Sequence, residues 1–150
     1  MIKFDKQFTD YMTFQRTEDG FAHIYFYGTY SGELTGCPFI RITDEITGNI
    51  CKETDLPVSS VWKIDAILAA GVYRIECGEL LETTGRDKRY LGRGHQLRHI
   101  TVGEIFVIAG QSNAVGYGVQ NEADEKDTPR NGITMRNDEG WQLASHPIGQ

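Results

Sequence analysis

The chain has 150 residues, with 15 Lys+Arg against 21 Asp+Glu and a formal charge of −6, which allows one ordinary core or two small ones but not a typical enzyme plus an accessory module. Charged residues at 24% and hydrophobic ones at 39% exclude a disordered chain. The lack of any run of ~18 apolar residues excludes a membrane-spanning helix, and the acidic balance argues against nucleic acid as a partner.

The first residues, Met1 to Lys6, lack the apolar stretch of a secretory signal, so the cytoplasm is the default compartment, with an extracellular or virion-borne protein also open. From there to about Val102 the pattern has period two. Ala22, Ile24 and Phe26 share one face, opposite His23, Tyr25 and Tyr27. Phe39-Ile40-Arg41-Ile42 alternates in the same way, and Thr47-Gly48-Asn49 supplies turn chemistry before Ile50. Trp62, Ile64 and Ala66 point inward with Lys63 and Asp65 outward; Tyr73, Ile75 and Cys77 point inward with Arg74 and Glu76 in water. Short alternating strands with 17 glycines among their turns predict a mostly β domain, a sandwich of antiparallel sheets. Cys37, Cys51 and Cys77 are odd in number and contain no C-x-x-C, so neither a disulfide framework nor a metal site is indicated, and free buried thiols are the expectation.

Gly85 to His99 carries Arg86, Lys88, Arg89, Arg93 and Arg98 against the single acid Asp87. This reads either as a positive rim for an anionic ligand or as a solvated hairpin tip. Ile105-Phe106-Val107-Ile108-Ala109 is then a continuous apolar run, the pattern of a strand buried on both faces in a parallel sheet. Residues 119–150 are polar, with Glu122, Asp124, Glu125 and Asp127 reading as a surface loop. No second strand of the buried kind follows, so the sequence looks cut short within its second domain.

Gly110-Gln111-Ser112-Asn113 follows the apolar run directly. A serine on a sharp strand-to-helix turn presents its hydroxyl at the carboxyl edge of a sheet, where N–H groups of the next helix can stabilise an oxyanion. The plain alternative is a Gly-rich turn whose serine caps a helix. Neither a G-x-G-x-x-G loop nor a Lys-Ser/Thr phosphate loop is present.

The stretch Val102-Gly103-Glu104-Ile105-Phe106-Val107-Ile108-Ala109-Gly110-Gln111-Ser112-Asn113 closely resembles the first block of the sialate O-acetylesterase-like carbohydrate esterases, members of the SGNH (GDSL-like) hydrolase superfamily. In that family the serine of Gly-Gln-Ser-Asn is the nucleophile, which implies this role for Ser112; Ala114 stands where Met is usual. More loosely, Trp141-Gln142-Leu143-Ala144 with Pro147 resembles a segment downstream of that serine. Phe14-Gln15-Arg16, Gly28-Thr29-Tyr30, Trp62 and Gly71-Val72-Tyr73-Arg74-Ile75 resemble the β-sandwich module that often precedes the catalytic domain.

The resemblance thus implies a β-sandwich over residues 1–102 and, over residues 103–150, the first β-α segment of an SGNH-type α/β (flavodoxin-like) hydrolase domain. It implies a carbohydrate O-acetylesterase acting on acetylated sugars, with Ser112 as nucleophile, Gly110, Gln111 and Asn113 supporting the turn and oxyanion, and no metal or organic cofactor. The family also uses a downstream Asp-x-x-His pair. The residues three before His23, His95, His99 and His146 are Gly20, Gly92, Gln96 and Leu143, so that pair is not in these 150 residues, and the chain alone is expected to be inactive. The alternative is a non-catalytic sandwich that binds sugar or docks a partner, with Tyr25, Tyr27, Tyr30 and Trp62 as possible aromatic platforms; for Trp62 the strand alternation favours the core.

Overall fold

A strand that is apolar on one face needs another layer to cover it, and the period-two segments find that cover in one another. The computed structural model describes residues 1–34, 36–81, 89–110 and 128–145, side chains at 81 and 89–93 aside. Its strands are β1 (Ile2–Phe4), β2 (Thr13–Gln15), β3 (Phe21–Tyr30), β4 (Cys37–Asp44), β5 (Ile50–Asp55), β6 (Val61–Ala69), β7 (Gly71–Leu81), β8 (Arg89–Gly103), β9 (Thr134–Asn137) and β10 (Gly140–Leu143). The described residues are all-β and include no helix.

One sheet has the order β1-β3-β6 and is antiparallel throughout. The second has the order β2-β8-β7-β4-β5 and is antiparallel except for the parallel β2–β8 pair. Ala22, Ile24 and Phe26 of β3 and Trp62, Ala66 and Leu68 of β6 share a core with Ile40, Ile42, Ile75, Cys77, Leu97 and Ile100 of the second sheet. Two sheets closing on one apolar interior make the expected sandwich. Phe14 of β2 and Phe26 of β3 meet across it with ring centroids 6.1 Å apart. Burying one such ring stabilises the fold by roughly 1.5–3 kcal/mol. On the outer face of the second sheet, Arg41 bonds its register partners on both sides, Glu53 at 2.7 Å and Glu76 at 3.1 Å. Its guanidinium thereby ties three strands together, 5.5 Å from the centroid of the Phe39 ring.

One expectation is corrected. Residues 105–109 form no strand; Phe106 is 80% and Val107 90% exposed. An apolar run becomes a buried central strand only when paired with parallel neighbours, and none of the described strands pairs with it. The described structure therefore contains no segment of an α/β hydrolase domain. The acidic stretch read as a loop lies outside the described residues, and further on the polar tail holds a strand pair the sequence reading did not include: β9 and β10 pair antiparallel, Thr134 with Leu143 to Asn137 with Gly140. Their turn is closed by Asn137 Oδ1, which accepts the N–H groups of Glu139 and Gly140. The hairpin rests on the second sheet, Thr134 Oγ1 lying 2.5 Å from Thr13 Oγ1. Of the basic segment, Arg86 and Lys88 lie outside the described residues, and Arg98 is exposed with its guanidinium on Gln96.

Gly28 marks the tightest approach in the first sheet, between Phe4 and Trp62 in register. A Cβ there would collide with the Lys3 carbonyl and come within 2.6 Å of Trp62 Cζ2. Gly28→Ala should lower stability by about 3 kcal/mol, as overpacking of a strand interior does, read as a shifted urea midpoint with an unchanged slope.

Cys77 is buried, its single S–H shared between the carbonyls of His95 at 3.2 Å and Ile2 at 3.5 Å. Burial pushes that thiol up from 9.0 to about 12, and burial likewise raises the Tyr30 hydroxyl from 10.0 to about 12. Above pH ~9 the unfolded chain therefore loses these protons while the folded one keeps them, so stability should be intact below pH ~9 and fall towards pH 12. Urea midpoints across that range test this, and Cys77→Ala should flatten part of the fall.

Candidate functional site

Gln111, Ser112 and Asn113 lie outside the described residues, as does the helix expected to begin near 113–115; Gly110 is described, exposed and in irregular backbone. The geometry open to analysis is the root from which the Ser112 segment leaves the sandwich. Thr13, Phe14 and Gln15 of β2 pair in parallel with Thr101, Val102 and Gly103 of β8. Phe14 and Val102 fix that pair to the core, because both are apolar residues packed in the same cluster.

Past the paired residues, contacts continue through polar groups. The Arg16 N–H donates to the Gly103 carbonyl at 2.9 Å. The Glu104 carboxylate accepts from Gln15 Nε2 at 2.7 Å and pairs with Arg16 Nη2 at 2.6 Å. The Ile105 N–H donates to Gln15 Oε1 at 2.7 Å. From Phe106 to Gly110 the chain is exposed coil. Gly110 and the strand end are thus joined by one short irregular stretch, and Gly110 is the sole expected site residue that the structure places.

A second constellation was not anticipated. His99 Nδ1 lies 2.7 Å from Glu45 Oε2, and the His99 backbone N–H donates to Glu45 Oε1 at 3.1 Å. The Tyr11 ring stacks on the imidazole, centroids 4.8 Å apart and planes 23° from parallel. Tyr11 (φ 64°) and His99 (φ 56°) are the two non-glycine residues with left-handed backbone among those described. Their strain falls at one place. On β8, Arg98 and His99 together oppose Arg74, between the pairs Leu97–Ile75 and Ile100–Tyr73. That is a bulge, which commonly puts its extra residue in the left-handed region. In the neutral ring Nδ1–H donates to Glu45 and Nε2 is left as an acceptor. The unit joins the loop before β2, the turn after β4 and the bulge of β8. The sequence held one signal for it: Leu97 and Ile100 both belong to the core yet stand three apart, which period two forbids without a bulge.

Neither His99 nor Glu45 belongs to a Gly-Gln-Ser-Asn or Asp-x-x-His pattern, and among the described residues no three His, Cys, Asp or Glu side chains converge on a point that could hold a metal. Comparison with known proteins finds no family model, no curated protein and no solved structure that matches the chain.

Left-handed backbone costs a residue with a side chain about 1–2 kcal/mol that glycine does not pay. His99→Ala keeps that cost while removing the Glu45 bond and the Tyr11 stack; His99→Gly removes all three. Urea unfolding should therefore rank the wild type above His99→Gly, and His99→Gly above His99→Ala by about 1 kcal/mol. The reverse order of the two variants would mean that the backbone at 99 is not held in this conformation.

Proposed function

We propose that the chain carries the nucleophile segment of a carbohydrate O-acetylesterase of the sialate O-acetylesterase-like, SGNH type, presented by a β-sandwich. One observation supports this above others. The apolar run after Glu104 is held firmly at its root, is exposed along its length, and leads straight into Gly110-Gln111-Ser112-Asn113. Exposed residues of this kind, at 61% for Ile108 and more for its two predecessors, suit a central strand of an α/β sheet awaiting its parallel neighbours.

In that reading Ser112 Oγ attacks the acetyl carbonyl carbon, and the carbonyl electrons move onto oxygen to give a tetrahedral oxyanion. The Ser112 backbone N–H donates to that oxyanion, with Gly110 giving the turn room and Gln111 and Asn113 holding its shape. Collapse expels the sugar hydroxyl with the proton taken from Ser112, leaving an acetyl-enzyme that water hydrolyses to acetate. The proton carrier is the imidazole of an Asp-x-x-His pair, which these 150 residues do not contain. No metal or organic cofactor enters the scheme.

A second reading, a sugar-binding module without catalysis, has Tyr25 in its favour. Tyr25 is 53% exposed on the outer face of the first sheet, with Lys63 Nζ 4.9 Å from its ring centroid. The other platforms considered are otherwise engaged. Trp62 is fully buried, Tyr27 packs edge-on against Phe8, and the Tyr30 hydroxyl donates to the Pro57 carbonyl.

The 150-residue chain should release acetate from an activated acetyl ester no faster than a serine hydrolase stripped of its triad members, about 10³–10⁴-fold over water at most. The product of the whole reading frame, read past codon 150, should deacetylate acetylated sugars and lose that activity in Ser112→Ala. An active Ser112→Ala enzyme sinks the esterase reading. A stop directly after codon 150, together with polysaccharide binding lost in Tyr25→Ala, favours the binding module.

A further inference from the structure

We propose that Gln15 and Arg16 are positioning residues, a joint that fixes the direction in which the Ser112 segment leaves the sandwich. Its meaning for catalysis rests on the esterase reading; its geometry does not. Two adjacent residues of one segment hold three successive residues of another: the Gly103 carbonyl, the Glu104 carboxylate and the Ile105 N–H. Backbone, side chain and backbone are caught in turn, so the outgoing chain can neither slide along β2 nor rotate about its own axis. The base beneath the joint is rigid, because Phe14 packs on Phe26 and Val102 is buried.

The amide of Gln15 is what the geometry demands. Nε2 must face the Glu104 carboxylate and Oε1 must face the Ile105 N–H, and a single orientation of the amide satisfies both. Nε2 also lies 3.1 Å from the Arg16 carbonyl, which further fixes that orientation. A glutamate in its place would keep the acceptor for Ile105 but set a second carboxylate against Glu104.

The Arg16–Glu104 pair is exposed, with side chains at 35% and 43%, and by itself such a pair stabilises a fold little. Its use here is orientation. Relative motion is the default for two structural units joined by a chain. From Ile105 to Gly110 an extended chain reaches at most ~17 Å, so a root free to swing by about 20° would move Gly110 by about 6 Å against the sandwich. Held at the root, the chain at Ile105 keeps one direction against the sandwich.

Amide hydrogen exchange on the 150-residue chain tests the joint, with urea unfolding beside it. In the wild type the Ile105 amide should exchange slower than those of Phe106, Val107 and Ile108. Gln15→Glu should speed Ile105 exchange roughly 5–30-fold while leaving the global urea midpoint in place, and Gln15→Ala should do the same. Adding Glu104→Gln to Gln15→Glu re-creates the donor–acceptor pair in reverse and should restore the protection. An Ile105 amide exchanging at the free-peptide rate in the wild type would overturn the joint. So would a global midpoint that falls together with the protection, or a double variant that fails to recover it. Failure of the esterase reading looks different, since acetate release would be absent while the exchange pattern stands.

Discussion

The indole of Trp62 lies with its ring centroid 5.2 Å from that of Phe4, on a strand pair that closes over a residue with no side chain at all. That contact requires β1 to pass close to β3 at Gly28, and everything further along the chain depends on it. With β1 in place, the carbonyl of Ile2 receives the Cys77 thiol, so the first sheet is tied to β7 at the centre of the second. With β7 in place β8 is paired along its length, and with β8 in place β2 has a partner. The root of the Ser112 segment is the last step of this sequence of contacts, and it inherits its rigidity from the first.

The sandwich was legible because period two is local. Ala22, Ile24 and Phe26, or Tyr73, Ile75 and Cys77, announce a buried face through their own spacing, and the structure buries them. The bulge at His99 was not legible in this way. It shows only when Leu97 and Ile100 are known to share the core, and a sequence does not say which sheet a strand will join. The joint was less legible still. Gln15 and Arg16 were noted for a family resemblance, and the group they hold lies about 90 residues on.

The apolar run 105–109 shows the opposite limit. Its composition gives a correct account of what these side chains need, which is cover on both faces. Whether they receive it depends on neighbours that a single strand cannot supply, and among the described residues those neighbours are absent. The β9–β10 hairpin was missed for the complementary reason: its polar composition resembles loop, while Asn137 to Gly140 carries the turn chemistry that closes it. Site residues 111–113 lie outside the described residues, so for the nucleophile the sequence pattern carries the reading alone.

The parallel β2–β8 pair has a consequence for how the protein is made. β2 leaves the ribosome well before β8, its partner among the described strands and the last strand of the two sheets to emerge. Until Thr101 to Gly103 emerge, Thr13 to Gln15 have no ladder to join, and Phe14 has only half of its surroundings. Contacts between residues so far apart close slowly, because the loop between them must lose its freedom first. The emerging apolar run at 105–109 therefore appears just as the sandwich becomes able to complete itself, and the two events are separated by only the few residues that bind Gln15 and Arg16.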